Sequence, residues 1–227
     1  MTASDQARPA AGDLIDLSPP ITPELAVFPG DTPPTREVLM DMERGDHLTL
    51  STLRTTVHLG SHADGMNHYG TGPAAPAIDA MDLAHFIGPC RVIRVDSEPG
   101  RRITVADLGQ APIDQPRILL ATGSYPDPTR WSESFNGLEP SLVDHLADHG
   151  VITVGIDTPS VDPATAKVLE AHHRFLARGV AIVEGLVLAG VAPGVYEFIA
   201  LPLRLAGFDA SPVRAVLRRM PERAGGG

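Results

Sequence analysis

The chain has 227 residues, of which 43% are hydrophobic and 20% charged, and its formal net charge is −10. This composition predicts a soluble globular protein, and the negative charge argues against nucleic acid and anionic membranes as partners. The single cysteine, Cys90, excludes an intrachain disulfide framework and fits a reducing cytoplasm, which is the expected location. Neither a signal peptide nor an apolar run long enough to span a bilayer is visible.

Predicted strands and helices follow one another along the chain without an internal repeat or a linker. We therefore expect one domain over residues 13–220, with disordered tails at 1–12 and 221–227. The second helix would begin after the capping residue Asp162 and end at Gly179. Strands are predicted at 13–17, 50–57, 88–95, 117–121, 151–156 and 180–191, helices at 141–149 and 163–178, and a long loop at 124–136.

Residues 58–69, HLGSHADGMNHY, contain the densest cluster of metal-ligand residue types in the chain. Imidazole nitrogen and carboxylate oxygen together bind zinc, manganese or iron. An extended strand would hold residues 58 and 62 about 13 Å apart at ~3.3 Å per residue, so the backbone must bend to share an ion. Gly60 and Gly65 permit such a bend. The candidate residues of this stretch are His58, His62, Asp64 and His68.

Two alternatives stay open for this stretch. A helix would also bring the histidines at 58 and 62 together, but Thr55, Thr56, Val57 and the two glycines disfavour a helix. A histidine-rich surface loop that binds no metal is the other alternative, because short motifs carry a real risk of false matches.

Two further residues are candidate ligands because of their positions in predicted elements. The helix at 163–178 has an apolar stripe, beginning at Val168, whose direction points His172 inward. Glu184 interrupts VAIVEGLVL, a run suited to a buried strand, where an unpaired carboxylate is costly. His172 could instead be a hydrogen-bonded core histidine, and Glu184 could face water from an edge strand.

Five protein ligands are more than one tetrahedral catalytic ion takes while it keeps an open position. We therefore predict two ions, ~3.5–4 Å apart, with Asp64 between them. His58 and His62 would bind one ion, and His172 and Glu184 would bind the other.

Several longer segments resemble one protein family. The histidine motif is similar to the H-x-G-[TS/A]-H-x-D-x-P-x-H signature of the metal-dependent cyclase-like hydrolases. The wider chain, over about residues 13–218, resembles their bacterial kynurenine formamidase (arylformamidase) branch. The matching segments are DLSPPI, FPGDTP, GIDTPSVDP, AHH…AIVEGLVL and IALPLRLAGFDASPVRAVLR.

The resemblance implies a compact α/β domain with a barrel-like mixed β-sheet flanked by helices, and a homo-oligomer, expected to be a dimer. It implies hydrolysis of N-formyl-L-kynurenine to L-kynurenine and formate in tryptophan breakdown. Two Zn²⁺ per subunit are implied as cofactors, with Mn²⁺ as an alternative. His68 matches the family's proton donor and acceptor, and Phe28 matches a tryptophan that lies against the substrate ring. The residues that match its metal ligands are His58, His62, Asp64, His172 and Glu184.

The chain departs from the family pattern at several positions near the motif and the pocket. Met66 replaces the signature's proline, within a Gly65-Met66-Asn67 variant, and Ala121 follows a strand where arginine is frequent. Phe28 replaces the tryptophan, and the residues alone favour a place in the core over an aromatic wall of the pocket. The ligand positions are intact, so these departures concern the pocket and the substrate rather than the chemistry.

Other functions are weaker alternatives. Isatin or another small cyclic amide would use the same ligands, and a non-catalytic metal-binding protein is the alternative of another class. The chain lacks the G-x-S-x-G elbow of a serine hydrolase. The sequence leaves open which residues bind the amino-acid end of the substrate, for which Arg204 and Arg214 are weak candidates.

Overall fold

The computed structural model describes residues 14–220, so the tails predicted at 1–12 and 221–227 lie outside the described residues. Within that range there are two α-helices, α1 Pro140–Asp148 and α2 Glu170–Arg178. The strands are β1 Leu14–Asp16, β2 Thr35–Met40, β3 Leu50–Arg54, β4 His62–Asp64, β5 Ile87–Arg94, β6 Arg102–Ile103, β7 Arg117–Ala121, β8 Gly137–Leu138, β9 Thr153–Ile156, β10 Ala181–Glu184, β11 Gly194–Ile199, β12 Ala210–Pro212 and β13 Val216–Arg219.

Nine strands form one curled mixed sheet in the order β1-β13-β11-β5-β7-β9-β10-β4-β12. The four central strands β5, β7, β9 and β10 run parallel, and the strands on both sides of them are antiparallel to their neighbours. The predicted α/β class with a barrel-like mixed sheet is therefore confirmed. The remaining strands of the described residues form two two-stranded sheets, β2-β3 and β6-β8.

Three of the central strands, β7, β9 and β10, are buried on both faces, which explains their nearly continuous apolar sequences. Every residue of β7, β9 and β10 is buried, and the two helices contribute apolar side chains such as Leu146 and Phe175 to the same core. Arg178 of α2 forms an ion pair with Asp144 of α1 at 3.1 Å. Neither helix is long and apolar enough to cross a membrane.

The prediction of the start of the second helix was wrong. Residues 163–169 form turns, α2 begins at Glu170, and Val168 is exposed instead of belonging to an apolar stripe. Asp162 nevertheless caps this helix, because its carboxylate accepts the backbone N–H groups of Ala171 and His172, each at 3.1 Å. The cap acts across an intervening loop, and sequence spacing alone cannot indicate such a contact.

Two predicted strands are shorter than expected. The strand predicted at 50–57 ends at Arg54, where the chain leaves the β2-β3 hairpin, and the strand predicted at 180–191 ends at Glu184. Gly185 ends β10 with φ at +65°, a conformation that favours glycine. The bend at residues 57–61 lies directly against this glycine.

Replacing Gly185 by alanine should strongly destabilise the fold. A Cβ at this position would lie 2.1 Å from the carbonyl oxygen of Gly60, in addition to the positive φ. We expect the free energy of unfolding to fall by clearly more than the ~1–2 kcal/mol that the left-handed conformation alone costs.

Urea unfolding checks this prediction against Gly179→Ala. Gly179 has φ at +63°, but no atom lies within 4 Å of a Cβ built there. The control therefore carries the backbone cost without the steric clash. Equal unfolding midpoints for the two variants would contradict the predicted contact between the bend and the end of β10.

Candidate active site

The structure brings the five predicted ligands together at one end of the central sheet. β4 carries His62 and Asp64, β10 carries Glu184, α2 carries His172, and the bend before β4 carries His58. Glu184 and His62 are directly opposite each other in the antiparallel β4-β10 pair. Because β10 is paired with β9 on one side and β4 on the other, Glu184 is not on an edge strand, and that alternative was wrong.

The inward-facing atoms of these side chains lie 3.3–3.7 Å apart. His62 Nε2 is 3.3 Å from Glu184 Oε2 and 3.6 Å from Asp64 Oδ1. His172 Nε2 is 3.6 Å from Glu184 Oε1 and 3.7 Å from Asp64 Oδ2, and His58 Nδ1 is 3.3 Å from Asp64 Oδ1. Two ligand atoms each ~2.0–2.1 Å from a tetrahedral ion are themselves roughly 3.3 Å apart, so the spacing suits atoms that share cations.

Each of the three imidazoles is oriented by a hydrogen bond at its outer nitrogen. His62 Nδ1 donates to the Gly60 carbonyl oxygen at 3.0 Å, and His172 Nδ1 donates to Asp162 Oδ2 at 2.8 Å. His58 Nε2 lies 3.1 Å from Asp209 Oδ2. Such bonds hold a metal-binding histidine in one tautomer and leave its other nitrogen free for the ion.

Asp162 and Asp209 are functional candidates that the sequence analysis missed. Asp162 was expected only to cap a helix, and Asp209 lies in the segment FDASP, to which no role was given. Asp162 acts on a histidine ten residues further along the chain, and Asp209 acts on one 151 residues before it. A signal existed only in the resemblance, because both residues lie in segments that matched the family.

The carboxylate of Asp64 provides a test of whether the site fits metal. It is 1% exposed, and within residues 14–220 neither of its oxygens has a hydrogen-bond partner. A buried carboxylate without partners is costly, and a cation relieves that cost. Three imidazole nitrogens and two carboxylates also form a ligand set typical of zinc and its neighbours. The residues present therefore fit a metal centre.

In the metal-free protein, the imidazoles and carboxylates of the site shift one another's pKa values. Burial alone would lower the pKa of His58, but the Asp64 carboxylate, 3.3 Å from His58 Nδ1, outweighs it and raises that pKa to about 9. Burial alone would raise the pKa of Asp64, but the nearby ring of His58 and the other two imidazoles lower it to about 2. The pKa of His172 is also raised, because its hydrogen bond to Asp162 and nearby carboxylates outweigh its burial. Without metal, protons on histidines balance the carboxylates.

His68 lies beside the ligand cluster but is more exposed than the ligands. One of its ring nitrogens lies within 4.8 Å of ligand atoms of Asp64 and His172, and its ring centroid is 4.2 Å from that of His58. His68 Nδ1 is 3.6 Å from Asp209 Oδ2. Burial lowers the pKa of His68, so the ring is neutral and able to accept a proton at neutral pH.

The cluster forms one wall of a cavity of about 550 Å³. Phe28 and Trp131 also line this cavity, with ring centroids 4.7 Å apart in an edge-to-face arrangement. Phe28 is 40% exposed, so the alternative that it belongs to the core was wrong. Trp131 comes from the loop at 124–136, whose role the sequence did not indicate. An apolar cavity with a few convergent polar groups is the usual form of a small-molecule site.

The departures from the family pattern divide between core and cavity. Met66 is buried in the hydrophobic core and does not line the cavity, whereas Phe28 and Ala121 do. Arg204 and Arg214 are both exposed, and neither lines the cavity; Arg214 forms an ion pair with Asp16 at 2.7 Å. These two arginines are therefore poor candidates for binding a substrate in this cavity.

Comparisons with known proteins agree with this architecture. A family model described as "Putative cyclase" matches residues 15–163. The kynurenine formamidase of Bordetella petrii is 42% identical over 208 residues, which cover 91% of this chain and 98% of that protein. A solved structure of a potential metal-dependent hydrolase with cyclase activity is 26% identical, with a TM-score of 0.79, and covers 93% of this chain and 100% of that chain.

Isatin hydrolase A from Labrenzia aggregata has the same fold. Its TM-score is 0.75 at 20% identity, over 92% of this chain and 94% of that chain. The fold and the buried ligand cluster define a hydrolase of the metal-dependent class. The chain belongs to the Cyclase family and is similar in sequence to kynurenine formamidases over 91% of its length.

Metal binding to the metal-free protein should release protons at neutral pH. His58, with a pKa of about 9, is protonated there and must lose its proton to bind a cation, whereas Asp64, with a pKa of about 2, is already ionised. We expect metal binding to release at least about one proton per protein. The affinity for the metal should rise with pH until about pH 9, where His58 is largely deprotonated in the metal-free protein. Titration calorimetry at pH 7.5 in buffers of different ionisation enthalpy checks this; a binding heat that does not depend on the buffer would contradict it.

Asp209→Asn should weaken metal binding without unfolding the protein. The change removes the charge that faces His58 Nε2, while the Asp209 side chain is 47% exposed and contributes little to the core. We expect the metal affinity to fall roughly 10–100-fold, as for other hydrogen bonds to metal-binding histidines. Competition with a chelator measures the affinity, and Asp114→Asn, which removes a surface partner of Arg91, is the control. Equal affinities for the two variants would exclude a role for Asp209.

Proposed function

We propose that this protein hydrolyses N-formyl-L-kynurenine to L-kynurenine and formate. The observation that carries the proposal is the buried set of imidazole and carboxylate ligands on the wall of an aromatic-lined cavity. The similarity to kynurenine formamidases over nearly the whole chain supports this choice of substrate.

The proposed cofactors are two Zn²⁺ ions per subunit, with Mn²⁺ as the alternative. When bound, such ions polarise a carbonyl group and make water a better nucleophile near neutral pH. Asp64 would help to hold both ions, because one of its oxygens faces the nitrogens of His58 and His62 and the other faces that of His172. The proposed metal ligands are His58, His62, Asp64, His172 and Glu184.

The chain's own residues position the substrate and move the proton. The aryl ring of the substrate would lie against Phe28 and Trp131, whose edge-to-face pair offers an apolar surface at the cavity mouth. An anilide nitrogen leaves readily only when it is protonated. His68 is neutral at neutral pH, so it would accept a proton from the attacking water and donate it to that nitrogen. A proton on its Nδ1, which faces Asp209, would leave Nε2 as the exchanging atom.

We also propose that the protein is a homodimer in the cytoplasm. The β2-β3 hairpin supports the first proposal, because it exposes leucines at 39, 50 and 53 that a second copy would cover. The single, buried Cys90 is consistent with a reducing compartment.

The proposed function is tested by assaying purified, metal-loaded protein with N-formyl-L-kynurenine and with isatin. We expect a much higher kcat/KM for N-formyl-L-kynurenine. Preference for isatin would select the cyclic amide as substrate class. Absence of both activities in metal-loaded protein would favour a non-catalytic metal-binding protein.

Replacing His68 by alanine should lower kcat roughly 10²–10⁴-fold, because proton transfer to the leaving nitrogen loses its donor. The metal content, measured by elemental analysis, should stay unchanged. His173→Ala is the control, because His173 is exposed on α2 and is not among the cavity-lining residues. Loss of metal from the His68 variant would instead identify His68 as a ligand.

A further inference from the structure

The cavity contains one strongly basic side chain that the proposed mechanism does not use. Arg94, the last residue of β5, is the only lysine or arginine among the residues that line the cavity within 14–220. It is exposed, and no carboxylate of a described residue lies within 4.0 Å of its guanidinium nitrogens. By contrast, Arg91 on the same strand pairs with Asp114 at 2.6 Å.

The sheet places Arg94 at a defined distance from the ligand cluster. Arg94 is opposite Ala121 on β7, β7 pairs with β9, and β9 pairs with β10, which carries Glu184. All four strands are parallel, so the two residues lie at the same edge of the sheet, three strand spacings apart. Glu184 is level with Ile93, and Arg94 is one position further along β5, where it lines the same cavity. At ~4.8 Å per spacing, their Cα atoms are roughly 14 Å apart.

This distance matches a substrate with an anionic end. An extended arginine side chain reaches about 6 Å from its Cα, so a guanidinium turned along the cavity towards the ligand cluster would lie roughly 8 Å from it. In N-formyl-L-kynurenine, seven covalent bonds separate the formyl carbon from the carboxylate carbon, a span of about 8 Å when extended. Ala121, between the two ends of this span, has a small side chain that leaves room for the substrate.

The charges of the cavity outside the ligand cluster favour such a cation for an anionic substrate. Asp31 and Asp157 also line the cavity and would repel a carboxylate. Asp157 already accepts hydrogen bonds from Thr122 and from the Gly123 backbone at 2.6–3.0 Å, so it is not a partner for Arg94. A free guanidinium presents paired donors that match a carboxylate.

We infer that Arg94 binds the α-carboxylate of the substrate and selects aryl formamides that carry an amino-acid side chain. This inference rests on the proposed function and names the residue that binds the amino-acid end of that substrate. Isatin has no such carboxylate, so Arg94 would contribute to the choice between the two substrate classes.

The test compares two substrates that share the scissile bond. N-formyl-L-kynurenine carries the carboxylate, and N-(2-acetylphenyl)formamide has the same ring, ketone and formamide without the amino-acid end. For Arg94→Gln we expect the ratio of their kcat/KM values to fall roughly 10–100-fold, mainly through a higher KM for N-formyl-L-kynurenine. Arg94→Lys should recover part of that ratio.

Arg130→Gln is the matched control. Arg130 is exposed in the loop next to Trp131 and does not line the cavity, so its loss removes the same charge near the mouth without removing a contact. The ratio should change less than about twofold, because charges there are screened by salt.

The outcomes separate this inference from the function on which it rests. If the unmodified protein hydrolyses neither formamide, the proposed function fails and the role of Arg94 fails with it. If it hydrolyses both and Arg94→Gln leaves the ratio unchanged, or if Arg130→Gln lowers it equally, only the role of Arg94 is overturned.

Discussion

The structure depends on one electrostatic constraint, the burial of Asp64 and Glu184 among three imidazoles. Two carboxylates in the interior are tolerable only beside positive charge, which protons on histidines or metal ions can supply. Asp64 faces ligand nitrogens from both oxygens, and Glu184 also accepts the Val161 backbone N–H at 2.7 Å. The surrounding elements serve this arrangement: two antiparallel strands carry three of the ligands, and one helix and one bend carry the others.

Most of the metal-ligand cluster could be identified from sequence, because its residues are physically unusual where they stand. A carboxylate within an apolar run is conspicuous because burial without a partner is costly, so Glu184 could be singled out from sequence. The motif at residues 58–69 is equally conspicuous, since four ligand types in a bent segment have few other uses. Strand positions in the centre of the sheet followed from the same apolar runs. The fold class was therefore predictable from local pattern together with the resemblance.

Contacts between distant segments could not be predicted in this way. The Asp209 hydrogen bond to His58 and the Phe28–Trp131 pair join residues far apart in sequence. The Asp162 cap reaches backbone N–H groups nine and ten residues ahead, beyond the spacing of an ordinary cap. The wrong start of the second helix has the same origin, because a proline after a capping residue is a local signal, whereas the actual cap reaches across a loop. Arg94 was not identified as a binding residue from sequence, because an arginine at the end of a strand resembles any solvated residue until the neighbouring strands are known.

The pairing of Glu184 with His62 across β4 and β10 links the metal centre to the alignment of the strands. Side chains on a strand alternate between faces, so a slip of one residue would turn a ligand away from the centre and leave a carboxylate in apolar surroundings. Only the native alignment can assemble the full set of ligands. A cation that binds the complete set would therefore stabilise the native alignment over a slipped one.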